Sequence, residues 1–288
     1  MMPWLESFHR PANIEDALRA LQHGGRQARF VAGGTELLLQ SDPAVKVLVD
    51  VTRLKLAYVR ARGTGLAIGA ATTLAEIESD KSIRRLAGGI LSRAALVSAP
   101  VQIRNRATLG GILATASPAA DLLPALLALD AEVILIGRQG RRRLPIVDFI
   151  LGPRETAANG ALITEIVIPA MPHGRAAWSF RKLGNTERDL AIVNVAAGLG
   201  LDRRGNTSWA RIALGAVAPA PLRITAAEQL LEGKPPTAAL IDQAARLAGG
   251  LVRPANDTRA SAVYRRQMSQ VMVRRALTDC AAQMGRTQ

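Results

Sequence analysis

Arg104-Asn105-Arg106-Ala107-Thr108-Leu109-Gly110-Gly111-Ile112-Leu113-Ala114-Thr115-Ala116-Ser117-Pro118-Ala119-Ala120-Asp121 is the stretch from which the rest of the chain is read. It passes from basic residues through two glycines and a run of small side chains to a proline and an acid. An ordinary core segment does not need that composition. Adjacent glycines let the backbone reach positive φ and come close to another group. A Gly-Gly turn of this kind gathers several N–H groups at one place, which suits an anion such as a phosphate. An earlier segment, Val31-Ala32-Gly33-Gly34-Thr35-Glu36-Leu37, repeats the recipe. Two such loops point to one extended ligand held from two sides.

Upstream, residues 14–21 carry apolar side chains at helical spacing, with Asn13 as N-cap and Gly24-Gly25 as terminator. Residues 28–32 read as a buried strand running into the first glycine pair. A helix is expected to open at Thr35, near its cap, so that Gly33, Gly34 and Thr35 present free N–H groups to an anion. Strands are expected at 45–51, 58–61 and 65–70. Thr73 to Glu76 has the spacing of a capping box, and a further helix is expected over about 83–96. After the opening stretch come a helix over 122–130 and strands over 131–136 and 161–169. Pro169 to Gly174 reads as a hinge. Beyond it, strands over 178–183, 191–201 and 209–217 precede helices over about 225–231, 237–249 and 259–284. Strands followed by helices make an α+β pattern.

The chain has 288 residues, so two domains are expected. Hydrophobic residues make up 49% but aromatic residues only 3%, so the core rests on Ala, Leu, Ile and Val and offers few rings for base stacking. The formal charge of +14 raises nucleic acid or an acidic partner as possibilities. The charges are dispersed, however. The densest run, Arg138-Gln139-Gly140-Arg141-Arg142-Arg143, reads as a solvated hairpin tip between two apolar strands. A lone cysteine, Cys280, rules out a disulfide framework or a cysteine-ligated cluster within the chain. His9, His23 and His173 lack metal-ligand spacing, so no metal site is expected. Met1-Met2-Pro3-Trp4 does not open a signal peptide, and no apolar run reaches spanning length. A cytoplasmic protein is expected, with no membrane insertion and no nucleic-acid role.

Catalytic side-chain sets are not visible. There is no Ser/His/Asp or Cys/His arrangement, no Gly-x-Gly-x-x-Gly after a first strand, and no P-loop. Redox chemistry, if the chain takes part in it, belongs to a cofactor. Asp121 has two compatible readings. It can N-cap the following helix, with Pro124 in the first turn where no N–H is needed, or it can accept from a ligand hydroxyl. Thr115 is either a backbone-bonded hydroxyl or a phosphate contact. Glu36 is either a first-turn acid or a group facing ligand hydroxyls. From the residues alone, the conclusion is a chain that binds a phosphate-bearing ligand.

At these residues the sequence resembles the FAD-binding medium subunit of the molybdenum hydroxylases, the carbon monoxide dehydrogenase and xanthine dehydrogenase type. The resemblance is carried by residues 32–37, by 102–111, by Ala116-Ser117-Pro118-Ala119-Ala120-Asp121 and by Leu129-Asp130-Ala131. Near the end it is carried by Tyr264-Arg265-Arg266 and by Val273-Arg274-Arg275-Ala276-Leu277. It runs in order along nearly the whole chain. It implies a two-lobed FAD-binding domain of the vanillyl-alcohol-oxidase (PCMH) type over 1–173, with lobes of about 1–56 and 57–173. A smaller α+β domain over 174–288 follows.

The resemblance also implies non-covalent FAD. Arg29, Phe30, Val31, Ala32, Gly33, Gly34, Thr35 and Glu36 match its first pyrophosphate loop. Thr108, Leu109, Gly110, Gly111 and Ile112 match the second. Thr115 and Asp121 match further contacts, Asp121 toward the ribose or adenine side, while Ile163 and Lys182 match positions lining the flavin. Ile112 stands where the family usually has Asn, which removes a side-chain amide from the loop. The implied partners are a large molybdopterin subunit and a small subunit with two [2Fe–2S] clusters, in a dimer of heterotrimers. A stand-alone FAD oxidoreductase of the same fold is the alternative. A basic nucleic-acid-binding protein is a remote one.

Overall fold

The computed structural model describes residues 2–285. Strands Ser7–His9, Val47–Asp50 and Ala28–Val31 form a small parallel sheet with Val47–Asp50 in the centre. Helix Ile14–Gly24 starts where the Asn13 side chain accepts from the Asp16 N–H at 2.9 Å, and it ends at Gly25, whose φ is 52°. Its buried Ala17 packs with Val49, Val51, Leu54 and Leu56.

A five-stranded antiparallel sheet follows, in the order Val59–Arg62, Gly65–Gly69, Leu162–Ile168, Glu132–Gly137, Gly140–Pro145. Leu66, Ile68, Val133, Leu135, Ile166 and Ile168 share a core with the buried leucines of the helices between these strands. The Thr73–Glu76 capping box is present, with both reciprocal hydrogen bonds made.

The chain closes with a four-stranded antiparallel sheet, Arg175–Leu183, Val193–Leu201, Thr207–Gly215 and Leu222–Arg223, and helices Thr225–Leu231, Ala238–Leu251 and Ala262–Gly285. Both faces of this sheet are covered. Val195, Ala197, Ile212 and Leu214 pack on the sheet's own helices. Trp178, Phe180, Ala196 and Ala213 pack toward helix Leu122–Ala128 and the preceding core. Burial on two faces removes the usual alternation, which is why Val193 to Leu201 reads as a near-continuous run of apolar and small residues.

Several expectations need correction. The helix expected over 83–96 is broken at Ala87, Gly88 and Gly89, whose φ values are 48°, 60° and 74°. Two glycines and an alanine in the left-handed region end one helix, and the next restarts at Ile90. The helix expected from Thr35 is a single turn, Leu37–Gln40, with Glu36 at its cap position and no capping side-chain bond. Only Arg138 and Gln139 form the hairpin turn. Arg141, Arg142 and Arg143 belong to the strand and pair with Glu165, with the carbonyls of Ala157 and Ala158, and with Glu132. The short strand Ser7–His9 and the hairpin Ile150–Gly152 with Glu155–Thr156 carry no signal long enough to be read in advance.

Candidate functional site

The two glycine pairs lie beside each other, and they differ. In the first, Gly34 has a φ of 72°, which a side chain would strain, while Gly33 is needed for closeness. A Cβ on Gly33 would stand 1.8 Å from the Arg106 carbonyl oxygen. The N–H groups of Gly33, Gly34 and Thr35 meet no acceptor among the described residues.

The second pair is not a turn. Gly110 and Gly111 lie in the first turn of helix Leu109–Thr115, capped by the Thr108 hydroxyl, and neither has positive φ. Its N–H groups are occupied. Leu109 donates to Thr72 O at 3.0 Å, Gly110 to Ala70 O at 2.7 Å, and Ile112 to Thr108 O at 3.0 Å. Gly111 donates to the Thr108 hydroxyl at 3.2 Å. Gly110 is small because a Cβ there would meet Ala70 at 2.8 Å.

Two adjoining cavities meet at these loops, of about 1340 Å³ and about 520 Å³. Arg29, Phe30, Ala32, Thr108, Gly111 and Arg154 line both. The larger adds Arg26, Arg138 and Arg142, together with Gln22, Gln139 and Asn159. The smaller is walled by Leu37, Leu74, Ile103, Ile112 and Leu190, with Asp121 at one side. Gly33, Gly34 and Thr35 sit on its wall, close to the junction.

The remaining residues expected at the site are placed as follows. Arg29 turns its guanidinium back onto the carbonyls of Arg26 and Ala28, each at 2.8 Å. Val31 and Glu36 line the smaller cavity. Leu109 is fully buried and lines neither cavity. Thr115 lines the smaller one and gives its hydroxyl to Gly111 O at 2.9 Å. Ile163 lines the larger cavity, whereas Lys182 lines neither. The two residues expected to line one flavin therefore do not meet.

Asp121 occupies the cap position of helix Leu122–Ala128, but its side chain makes no capping bond. The carboxylate turns instead to the C-terminal sheet. It accepts from Lys182 Nζ at 2.7 Å and from Asn194 Nδ2 at 2.7 Å. Lys182 also donates to Val97 O at 2.8 Å. Burial pushes the Asp121 carboxyl above its ordinary value, and the Lys182 ammonium and the two hydrogen bonds work against that rise. Asn194 was missed by sequence reading, although it is the only polar side chain in Ala191-Ile192-Val193-Asn194-Val195-Ala196-Ala197, which is itself a signal. Arg154 was missed too. It lies 3.5 Å from Glu36 across the junction, and nothing in its short hairpin marks it in advance.

An elongated site with a row of free backbone donors near its waist and arginines at the junction and in its larger part fits a dinucleotide-type cofactor. Residues 5–171 match the family model described as the FAD binding domain in molybdopterin dehydrogenase, and residues 178–280 match the CO dehydrogenase flavoprotein C-terminal domain. The chain belongs to this family, the FAD-binding flavoprotein subunits of the molybdenum hydroxylases, which are oxidoreductases.

Among its relatives is the carbon monoxide dehydrogenase medium chain of Hydrogenophaga pseudoflava. The two are 34% identical, over 96% of this chain and 97% of that one. Another is the 6-hydroxypseudooxynicotine dehydrogenase complex subunit alpha of Paenarthrobacter nicotinovorans, 36% identical over 92% of this chain and 90% of that one. The solved carbon monoxide dehydrogenase of Hydrogenophaga pseudoflava superposes with a TM-score of 0.92 at 34% identity, over 98% of this chain and 99% of that one. Quinoline 2-oxidoreductase from Pseudomonas putida 86 gives 0.89 at 28% identity, over 97% of this chain and 98% of that one.

Proposed function

We propose that this chain holds FAD across the two cavities and provides the point at which electrons leave a molybdenum hydroxylase complex. The observation that carries the reading is the run of unoccupied N–H groups at Gly33, Gly34 and Thr35 on the smaller cavity's wall near the junction. Such a run suits a pyrophosphate. When bound, FAD supplies the two-electron redox chemistry that no side chain here offers.

The chain's own residues orient it. The loop 33–35 is the anion cradle. Thr108 to Ile112 form the opposing wall, with Gly111 leaving room for close approach. Ile112 adds apolar surface where the family usually has an amide. The smaller cavity, walled by Leu37, Leu74, Ile103, Ile112 and Leu190, suits the largely apolar flavin ring. The larger, with its arginines and amides, suits the adenosine half. In this reading Asp121 and Thr115 belong to the flavin side and Ile163 to the adenosine side, the reverse of what the resemblance implies for Asp121 and Ile163. Lys182 acts from behind Asp121 rather than on the ring.

The partners in this reading are a large molybdopterin subunit and a small [2Fe–2S] subunit in a cytoplasmic dimer of heterotrimers. Among the described residues no helix is long and apolar enough to cross a membrane. No cluster of three or more metal-binding side chains occurs among those residues either. The division at residues 173 and 174 separates the FAD-binding part, with lobes of about 1–56 and 57–173, from the C-terminal part. The test is to purify the chain with whatever accompanies it and to measure flavin, iron and molybdenum. FAD near one per chain is expected, with iron and molybdenum present only when partners are. A complete complex without flavin would refute the reading.

A further inference from the structure

Three residues of the C-terminal sheet meet Asp121 and its surroundings from one face. In the antiparallel register Lys182 lies opposite Asn194, and Asn194 opposite Gly215. Lys182 and Asn194 hold one carboxylate oxygen of Asp121 each, both at 2.7 Å. Gly215 makes space for them. A Cβ on it would stand 2.3 Å from Asn194 Oδ1 and 2.8 Å from Pro124 Cγ. Next to it, the Ala216 N–H donates to Pro118 O at 2.7 Å. The segment 117–121, which lines the smaller cavity at Ser117, Ala119, Ala120 and Asp121, is thus gripped by the C-terminal sheet at three points.

The orientation of the Asn194 amide is fixed by chemistry. Asn194 is fully buried, and its Oδ1 has no partner among the described residues. Turning the amide over would put that oxygen against the Asp121 carboxylate and lose the hydrogen bond the amide makes to it. A buried amide with an unpaired oxygen is a poor choice for stability alone. With both oxygens of Asp121 engaged from behind, the carboxylate cannot rotate to cap its own helix. Each oxygen keeps a second acceptor position.

We infer that Asn194 is a positioning residue for the cofactor site: together with Lys182 it fixes Asp121 as an acceptor at the wall of the smaller cavity. The group recognised there is a hydrogen-bond donor of the bound cofactor, a hydroxyl or a ring N–H. Part of the cofactor's selection is therefore made by the C-terminal sheet, through residues that do not themselves line the cavity. The inference rests on the FAD reading above.

The test uses the full chain, with FAD affinity measured by flavin fluorescence and the flavin midpoint potential by redox titration. Asn194→Leu keeps the volume and removes the donor. A carboxylate no longer held from behind can turn away from the cavity and bind the cofactor less tightly; a roughly tenfold rise in Kd is expected, and a shifted potential with it. Asn194→Ser, which keeps a donor, recovers part of both. Thr207→Val, at another buried hydroxyl of the same sheet with no hydrogen-bond partner among the described residues, leaves both unchanged. Wild-type affinity and potential in Asn194→Leu overturn the inference. Should that variant not fold, Lys182→Met takes its place, with the same expected rise and the same overturning result. A wild-type chain that binds no FAD refutes the site reading itself and not the role of Asn194 within it.

Discussion

The two glycine pairs look alike in sequence and do opposite work. Around Gly33 and Gly34 the backbone leaves its N–H groups free, and the glycines serve approach and positive φ. Around Gly110 and Gly111 the N–H groups from Leu109 to Ile112 are bound within the protein, and Gly110 fits a helix against Ala70. A symmetric clamp with two sets of donors is therefore the wrong picture. One loop offers hydrogen bonds, and the other offers shape. A glycine doublet reports that something comes close, and only the tertiary structure tells whether it is a ligand or the protein itself.

Gly33→Ala is the sharpest way to break the comparison. Its Cβ would lie 1.8 Å from Arg106 O and 2.6 Å from the same residue's carbonyl carbon, so rigid backbone has to move. Overpacking of this kind costs about 3 kcal/mol or more. Chemical denaturation should show that loss, and FAD binding should fall with it because Gly33 carries one of the free donors. A variant of wild-type stability would mean that the two loops are not in contact.

Gly110→Ala comes next. The added Cβ would stand 2.8 Å from both Cβ and O of Ala70. About 2 kcal/mol of stability should be lost. Here, unlike at Gly33, Ala70→Gly should relieve the Cβ contact and recover part of the loss, since one of the two clashing atoms is a side-chain methyl. Absence of any recovery in the double variant would place the whole strain on the Ala70 carbonyl.

How much of this was open to sequence reading follows from the range of the interactions. Asn13, the Thr73–Glu76 box and helix Thr225–Leu231 were legible because caps and helical periodicity act over a few residues. The two-faced strands of the C-terminal sheet were legible as long apolar runs. The break at Ala87 was not anticipated, although Gly88-Gly89 stood in plain view, because the apolar spacing continues across it. The true partners of Asp121 are 61 and 73 positions away, and no local pattern points to them. Sequence therefore singled out both glycine loops, while the division between free and occupied donors emerged only from the tertiary contacts each loop makes.

Gly111→Ala separates the two roles within one pair. Gly111 is exposed, lines both cavities, and a Cβ on it would touch only its own cap hydroxyl, at 3.0 Å. Replacing a helical glycine by alanine stabilises by about 0.5–1 kcal/mol. Thermal unfolding without flavin should move slightly upward. FAD affinity should instead fall by about tenfold, or about 1.4 kcal/mol, since the methyl projects where the ligand approaches. Improved stability with unchanged affinity would leave Gly111 as helix packing only, like Gly110.

The smallest effect concerns the ion pair that spans the junction. Arg154 reaches Glu36 at 3.5 Å, and their side chains are 64% and 46% exposed. An exposed pair at that distance contributes at most about 1 kcal/mol, and salt screens it. Arg154→Gln should therefore leave the unfolding midpoint almost unchanged. The same guanidinium lines both cavities, beside the loop that offers free N–H groups. An anion held by those donors gains from a nearby cation even when the protein does not. FAD affinity should then drop a few-fold at low salt, about 0.5–1 kcal/mol, and the difference should vanish at high ionic strength. Glu36→Gln should act in the opposite direction on affinity, because it removes the negative charge that competes for Arg154. Equal and salt-independent losses in both variants would show that the pair is a structural tie between the first loop and the hairpin that carries Arg154, and that the first loop binds its anion through backbone N–H groups alone.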